Sequence, residues 1–189
     1  MSDLSYETSL MIDSAKRLFD KEFDISFIRA FAEDPTSHKC DLFNEFVKLG
    51  WSGLSIPEEH GGFGYDHQAL CALLREMGHA AAPSLYFSTI VVPSLVLRSL
   101  DSNCARDLLL ESIAKGQITV IVATDSSTIG AFSAPATMKA EPYGDQYRIS
   151  GTANYLSDLD IASLLLVPAV SKSGDVILAT VNIDSDGIE

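Results

Sequence analysis

Two short clusters of polar and aromatic side chains follow predicted β-strands and could hydrogen-bond a polar ligand. The first, Thr124 to Ser127, comes directly after the apolar run 120–123, and the second contains Tyr155 and Ser157. A polar strand end is more often a simple strand end, and an aromatic residue alternating with a hydroxyl is more often one packed and one solvated side chain. The residues alone therefore leave both a structural and a ligand-binding role open.

Metal coordination and disulfide chemistry are not predicted. No histidine has an i, i+4 partner with a third ligand in view, so we expect surface or helix-end positions for His38, His60, His67 and His79. The three cysteines stand far apart, each within a helical pattern. We expect small, reduced core residues at Cys40, Cys71 and Cys104.

Acidic residues dominate the charge of the chain, whose 189 residues carry a formal net charge of −13. No basic patch interrupts this acidity. A nucleic-acid-binding surface needs Lys and Arg to replace phosphate counterions, and an anionic membrane surface attracts the same side chains. We therefore expect neither nucleic acid nor an anionic lipid surface as a partner.

Neither a secretory signal nor a membrane span is predicted. The first residues carry acid in place of a basic segment followed by an apolar run, which favours a cytoplasmic location. The most apolar window, residues 85–100, contains Pro93 and Arg98 and is shorter than the roughly 20 residues that a bilayer span requires. A buried core helix is the better interpretation of that window.

Apolar residues recur at helical spacing over the first 116 residues. One or two helices are predicted before the break at Asp34 and Pro35, where Thr36 and Ser37 can cap the next helix. Further helices are predicted up to Gly50, from Asp66 to Gly78, over residues 84–100 and over residues 103–115. Gly50 suits the left-handed residue that ends a helix.

The hydrophobic period changes from 3.6 to 2 after Gly116, which predicts strands over residues 118–124, 147–150, 161–170 and 176–183. Compact hairpin signals lie at Gly144–Asp145 and at residues 173–175. The fold class is therefore predicted as α+β. An all-helical domain, 1–116, is followed by a partial antiparallel β-barrel or sandwich domain, 117–189.

Residues 50–64 read GWSGLSIPEEHGGFG, in which proline and glycines exclude regular structure. We expect this loop to brace the helices rather than to contact substrate. With the helix ending Arg75-Glu76-Met77-Gly78, it resembles the N-terminal domain of acyl-CoA dehydrogenases, which typically show "G-x-x-G-L-x-x-P-E-E-x-G-G-x-G" and then "E-x-G". The register of the resemblance runs from about Leu42 to the end of the chain.

The resemblance implies FAD as the cofactor and assigns roles to the two strand ends. The family strand that runs into "T-E-P-x-x-G-S-D" is similar to residues 120–127, and "Y-x-[LI]-N-G-x-K-x-[WF]-I-[TS]" is similar to residues 147–157. By that match the cofactor-binding residues are Ala123, Thr124, Tyr155, Leu156 and Ser157, and the substrate-binding residues are Ser126, Ser127 and Gly130.

Three positions depart from the family pattern. Asp125 stands in place of glutamate, Ser126 in place of proline, and Ala153 in place of lysine. The glycine-serine-aspartate turn is not reproduced after Ser127. These departures fall on the implied substrate and flavin contacts, so they place the acyl-binding details in question.

The resemblance further implies α,β-dehydrogenation of an acyl-CoA, a proton-abstracting carboxylate in a dry site, and hydride transfer to the flavin. In the family the base comes from a C-terminal helical bundle, and no glutamate here matches it, so we expect that bundle to be absent from these 189 residues. An electron-transfer flavoprotein or another acceptor and a homo- or hetero-oligomer are also implied. The alternatives are a non-catalytic subunit of a heteromeric dehydrogenase and a same-fold acyl-CoA oxidase or flavin monooxygenase.

Overall fold

The computed structural model of the chain describes residues 5–83, 85–123, 138–154 and 156–188. Contacts divide it into two compact units, Met1–Gln117 and Ile118–Glu189. The first unit is helical and the second is built on a sheet, so the predicted α+β class is confirmed. Each unit is described by itself below.

Six α-helices form the first unit. They are α1 Tyr6–Glu22, α2 Ile25–Glu33, α3 Pro35–Lys48, α4 His67–His79, α5 Val92–Arg98 and α6 Cys104–Ala114. Short 3-10 turns occupy Trp51–Gly53 and Glu58–His60, and a π-helical turn, Phe87–Val91, precedes α5. The last of these was not predicted, because a change from α to π hydrogen bonding leaves the apolar spacing of the sequence almost unaltered.

At the start of every helix except α5, a side-chain oxygen accepts a hydrogen bond from the amide three residues later. Asp66 accepts from Ala69 at the start of α4, as its position predicted. At the break between α2 and α3, Asp34 accepts from the amide of Ser37. The cap there is consequently the Asp34 carboxylate rather than the predicted hydroxyls of Thr36 and Ser37.

An aromatic cluster fills the core of the helical unit. The ring of Trp51 stacks on Phe46 with centroids 5.5 Å apart and lies 5.6 Å from Phe19. Tyr86 packs edge-on against Phe46, and its hydroxyl donates to the Trp51 carbonyl oxygen at 3.0 Å. Burial raises the pKa of Tyr86 well above its ordinary value, so the hydroxyl remains a donor throughout the working pH range.

Five strands form one sheet in the second unit. They are β1 Val120–Val122, β2 Met138–Tyr143, β3 Gln146–Ser150, β4 Leu164–Ser171 and β5 Val176–Asn182. The hairpins β2–β3 and β4–β5 are antiparallel, whereas β1 and β2 both pair with β4 in parallel. The sheet is therefore mixed, and the prediction of a wholly antiparallel domain is corrected in this respect.

Local turn chemistry explains why sequence reasoning reached only half of this topology. The turns Gly144–Asp145 and 173–175 mark the two antiparallel hairpins, but nothing local marks the long-range parallel pairs. Strand β2 was also missed. Its sequence, MKAEPY, contains Lys, Glu and Pro, which have low β-propensity, and it is held in place by its neighbours on either side.

Strands β1 and β2 lie end to end along the same edge of β4. Strand β1 pairs with Leu164 to Leu166, and β2 pairs with Ala169 to Ser171. Between these two stretches of β4, Pro168 pairs with β5. Its amide position faces the edge where neither β1 nor β2 pairs, a place where a missing N–H costs no ladder hydrogen bond.

Candidate functional site

Strand β1 is held by hydrogen bonds at both of its ends. At the start of the strand, the Ser163 hydroxyl accepts from the Thr119 amide at 3.0 Å and donates to the Thr119 carbonyl oxygen at 3.1 Å. At the end, the Ala123 amide donates to the Leu166 carbonyl oxygen at 2.8 Å. Ala123 is buried, and its backbone position is determined by the sheet itself.

Four predicted site residues lie outside the described part of the chain, between β1 and β2. They are Thr124, Ser126, Ser127 and Gly130. On either side of them in the sequence, the Ala123 amide donates to the Leu166 carbonyl oxygen and Met138 pairs with Ala169. Leu166 and Ala169 are roughly 10 Å apart along an extended strand. The predicted roles of the four residues stay predictions.

The second predicted strand end follows β3. Leu156 is half-buried and packs against the apolar cluster of the sheet, and Ser157 is exposed in the turn that follows. Asp158 has a φ of 60° and leads into the short 3-10 turn Leu159–Ile161. Tyr155 lies outside the described residues, so its predicted role stays untested.

Ala123 and Leu156 belong to the same apolar cluster. Its buried members are mostly small: Ile121, Ala123, Met138, Ala140, Ala162, Leu165, Val167 and Ala169. Leu156 and Ala153 are partly buried against it. Ala123 and Leu156 therefore both contribute to one apolar cluster, to which β1, β2 and β4 also supply residues.

The Ser157 hydroxyl has no hydrogen-bond partner among the residues that the structure describes. It is one residue from Leu156, so a free donor lies beside an apolar surface made largely of alanines. An isoalloxazine ring needs an apolar face and hydrogen-bond partners along its polar edge. The residues present fit these two needs, with Ala123 and Leu156 on the apolar side and Ser157 as donor.

The glycine-rich loop 50–64 folds back on itself in the helical unit. The amides of Phe63, Gly64 and Tyr65 donate to the carbonyl oxygens of Gly53, Ile56 and Leu54 at 2.8–2.9 Å. A Cβ at Gly62 would lie 2.1 Å from the Ile56 oxygen, so only glycine fits there. The amides of Phe63, Gly64 and Tyr65 are therefore used in hydrogen bonds that fold the loop.

Two further contacts attach this loop to α6. The Ser52 hydroxyl donates to the Ala114 carbonyl oxygen at 2.8 Å, and His60 lies 3.6 Å from a carboxylate oxygen of Asp107. Arg106 donates a hydrogen bond to that carboxylate and holds the pKa of Asp107 below its ordinary value, with smaller contributions from Ser102 and His60. These contacts support the predicted bracing role of the loop.

The position of His60 was not predicted. A surface or helix-end role was expected, but its side chain is only 11% exposed and faces Asp107. The sequence separation of 46 residues between His60 and Arg106 hides this cluster from local pattern reasoning. The only available signal was the placement of a histidine inside a loop already constrained by glycines.

The cysteine prediction is wrong in one respect. The thiols are free, but Cys40, Cys71 and Cys104 are exposed rather than buried in the core. Each occupies the solvent side of its helix, because larger apolar residues fill the inward positions. Within the described ranges no group of three His, Cys, Asp or Glu side chains could hold a metal ion.

A helix that spans a membrane must be long and apolar over about 20 residues. Among residues 5–83, 85–123, 138–154 and 156–188, no helix is both long enough and apolar enough to cross a bilayer.

The helical unit and the first strand match a known protein family. The model for "Acyl-CoA dehydrogenase, N-terminal domain" matches residues 5–125. The chain belongs to the acyl-CoA dehydrogenase family. The resemblance carried by the glycine-rich loop is thereby confirmed. The match ends at Asp125, one residue before Ser126, the first of the predicted substrate-binding residues.

Curated and solved relatives agree with this assignment. The acyl-CoA dehydrogenase FadE12 of Mycobacterium tuberculosis is 30% identical over 138 residues, covering 71% of this chain and 35% of that protein. A solved variant of the "Tcur3481-Tcur3483 steroid ACAD" is 28% identical with a TM-score of 0.82, covering 98% of this chain and 50% of that one.

A second solved structure shows the same fold. It is the ChsE4–ChsE5 complex from Mycobacterium tuberculosis, with 21% identity, a TM-score of 0.82, and coverage of 99% of this chain and 50% of that one. The chain thus spans about a third of the length of FadE12 and about half of each solved chain.

Proposed function

We propose that this chain forms one wall of the flavin and acyl site of an FAD-dependent acyl-CoA dehydrogenase. The observation that carries the proposal is the meeting of Ala123 and Leu156 in one cluster, beside the Ser157 hydroxyl that has no partner among the described residues. Family membership supplies the reaction class. The exposed hydroxyl next to a residue of the apolar cluster supports the choice of Ser157 and Leu156 as contacts of the ring.

When bound, FAD would supply the hydride acceptor for oxidation of the acyl Cα–Cβ bond. The residues of this chain would do three things. Ala123 and Leu156 would exclude water from one side of the ring, and Ser157 would donate a hydrogen bond to its polar edge. The backbone hydrogen bond from Ala123 to Leu166 would keep the apolar side in place before the cofactor arrives.

The proton-abstracting carboxylate is assigned to no residue of this chain. In the described part of the sheet unit the one glutamate is Glu141, which is exposed and pairs with Lys172 at 3.4 Å. Such a carboxylate is in contact with solvent, whereas the base of this reaction needs a dry site. We infer that this group comes from residues outside this sequence, and that the electron acceptor is an electron-transfer flavoprotein or an equivalent protein.

A flavin-binding measurement tests this assignment. Purified chain, alone and together with the helical part of a full-length family member, is titrated with FAD while flavin fluorescence is recorded. Ser157→Ala should weaken FAD binding by about five- to tenfold, the worth of one hydrogen bond. Ser185→Ala is the matched control, since it is also an exposed turn serine but lies outside the cluster. If the parent chain, Ser157→Ala and Ser185→Ala bind FAD with equal affinity, Ser157 does not contact the flavin.

A second candidate function is a non-catalytic subunit of a heteromeric acyl-CoA dehydrogenase. Three sequence departures favour it, namely Asp125, Ser126 and Ala153 in place of glutamate, proline and lysine. The similarity to a chain of the ChsE4–ChsE5 complex agrees with a heteromeric arrangement. Co-expression with candidate partner chains discriminates the two. A non-catalytic subunit should leave flavin content and turnover unchanged when Ser157 is replaced, whereas a flavin-contacting chain should lower both.

A further inference from the structure

A groove of about 650 Å³ runs between α1 and α3 in the helical unit. Its base is apolar and includes the buried side chains of Phe23 and Leu42. Leu18, Phe27 and Val47 complete this base and are half-buried. None of the proposed flavin contacts Ala123, Leu156 and Ser157 lines this groove.

Carboxylates stand on both walls of this groove. Glu22 lies on the α1 side, and Asp41 and Glu45 lie one helical turn apart on the α3 side. Two ammonium groups neighbour these carboxylates: Lys48 lines the groove and pairs with Glu45 at 2.6 Å, and the exposed Lys21 pairs with Glu22. Both Glu45 and Lys48 are largely exposed, so this pair is weak and can be exchanged for a better partner.

The shape of the groove favours a helix over a small molecule. Its α3 wall extends from His38 to Lys48, which is roughly 15 Å along a helix axis. Small-molecule sites combine an apolar pocket with polar groups that converge at its base. Here the base residues Phe23 and Leu42 are apolar, and the polar groups stand on the rims, where the flanks of an amphipathic helix would meet them.

The charge of the groove selects among possible helices. A second copy of this chain is disfavoured, because its net charge of −13 would repel the acidic rims. An anionic membrane surface is disfavoured for the same reason. We propose that the α1–α3 groove binds a basic amphipathic helix of a partner protein, with the apolar face of the helix on Phe23 and Leu42 and its Lys or Arg side chains on Glu22, Asp41 and Glu45.

A model peptide tests this proposal without knowledge of the partner. The probe is a fluorescein-labelled, fourteen-residue peptide of Leu and Lys with Leu at i, i+3, i+4 and i+7 (about four helical turns), and the readout is fluorescence anisotropy. The double variant Asp41→Lys/Glu45→Lys should raise the Kd at least tenfold. Phe27→Ala should also raise it, by severalfold, because it removes part of the apolar base.

Matched controls separate groove binding from general attraction to an acidic protein. Asp184→Lys/Asp186→Lys makes the same change in net charge at exposed positions in the other unit and should leave the Kd within twofold. A scrambled peptide of identical composition should bind at least tenfold more weakly. Circular dichroism establishes that each variant remains folded.

Three outcomes would overturn the proposal. They are an equal loss of binding in both double variants, equal binding of the scrambled peptide, and binding of octylammonium but not of the peptide at the α1–α3 groove. The last would assign the groove to small cationic amphiphiles. Loss of peptide binding in Asp41→Lys/Glu45→Lys alone, with the control pair unaffected, supports the proposal.

Discussion

The glycine-rich loop and the turn after β3 differ in how far the fold itself accounts for their residues. In the loop, the amides of Phe63, Gly64 and Tyr65 donate to the carbonyl oxygens of Gly53, Ile56 and Leu54, and Gly62 has no room for a side chain. In the turn after β3, the Ser157 hydroxyl has no partner among the described residues. Packing therefore explains the family motif that is most complete in this chain, whereas no contact of the described residues explains the serine at position 157.

The largest expected effect tests the loop half of this comparison. Gly62→Ala would place a Cβ 2.1 Å from the Ile56 oxygen and 2.7 Å from the Gly53 oxygen, so the loop backbone must move. We expect the free energy of unfolding of the helical unit to fall by about 3 kcal/mol or more. Fluorescence of Trp51, the one tryptophan in the sequence, measures this during urea unfolding.

Gly78→Ala is the control for that substitution. Gly78 is in α4, and a Cβ there would meet no atom within 4 Å. Alanine has a higher helix propensity, so we expect the variant to be unchanged or more stable by up to about 1 kcal/mol. A loss of stability in Gly78→Ala equal to that in Gly62→Ala would contradict the account of the loop as sterically closed.

A smaller effect distinguishes the hydroxyls of the two regions. Ser52→Ala should cost about 1–2 kcal/mol, because Ser52 is buried and the Ala114 carbonyl oxygen would lose its donor. Ser163→Ala should cost less than about 1 kcal/mol, because this hydroxyl is exposed and water can replace it at Thr119.

The two serine variants need different probes because they lie in different units. Trp51 fluorescence follows Ser52→Ala, and hydrogen exchange of the β4 amides follows Ser163→Ala. The comparison fails if Ser163→Ala proves the more damaging of the two. That result would mean that the start of β1 depends on this single hydroxyl.

The smallest effect is a pH dependence at the contact between the loop and α6. The pKa of Asp107 is held below its ordinary value, mainly by the hydrogen bond from Arg106. The stabilisation is therefore present above about pH 4, the ordinary carboxyl pKa, and is lost as the pH falls through the lower folded-state pKa. Asp107→Asn should lower the urea midpoint at pH 7, and the gap to the parent should close below pH 4.

Asp186→Asn serves as the reference, since Asp186 is exposed and belongs to the other unit. Its urea midpoint should follow that of the parent across the same pH range. If the Asp107→Asn profile also runs parallel to the parent down to pH 3, the charge of Asp107 contributes nothing to attachment of the loop.

Sequence reasoning succeeded where the determinants are local. Helical periodicity, the Asp66 cap and the left-handed Gly50, with a φ of 74°, each depend on a few neighbouring residues. It failed where partners are distant. The parallel pairing of β1 with β4 and the approach of His60 to Asp107 both join residues more than forty positions apart.

The same difference between local and distant determinants applies to the candidate site. Family resemblance singled out Ala123, Leu156 and Ser157, and the structure brings the first two into one cluster. The α1–α3 groove was not predicted, because its walls come from separate helices whose individual patterns indicate only amphipathic packing. The carboxylates of α1 and α3 are recognised as the two walls of one groove only when the two helices are seen side by side.

The end-to-end placement of β1 and β2 on one edge of β4 has a consequence for the tolerance of the sheet to substitution. Strand β4 pairs with β1 from Leu164 to Leu166, with β2 from Ala169 to Ser171, and with β5 along its other edge. A substitution that distorts β4 would therefore disturb three pairings at once, whereas a distortion of β5 would act directly on its pairing with β4. Among the described strands, β4 is thus the one in which a backbone change spreads to the most neighbours.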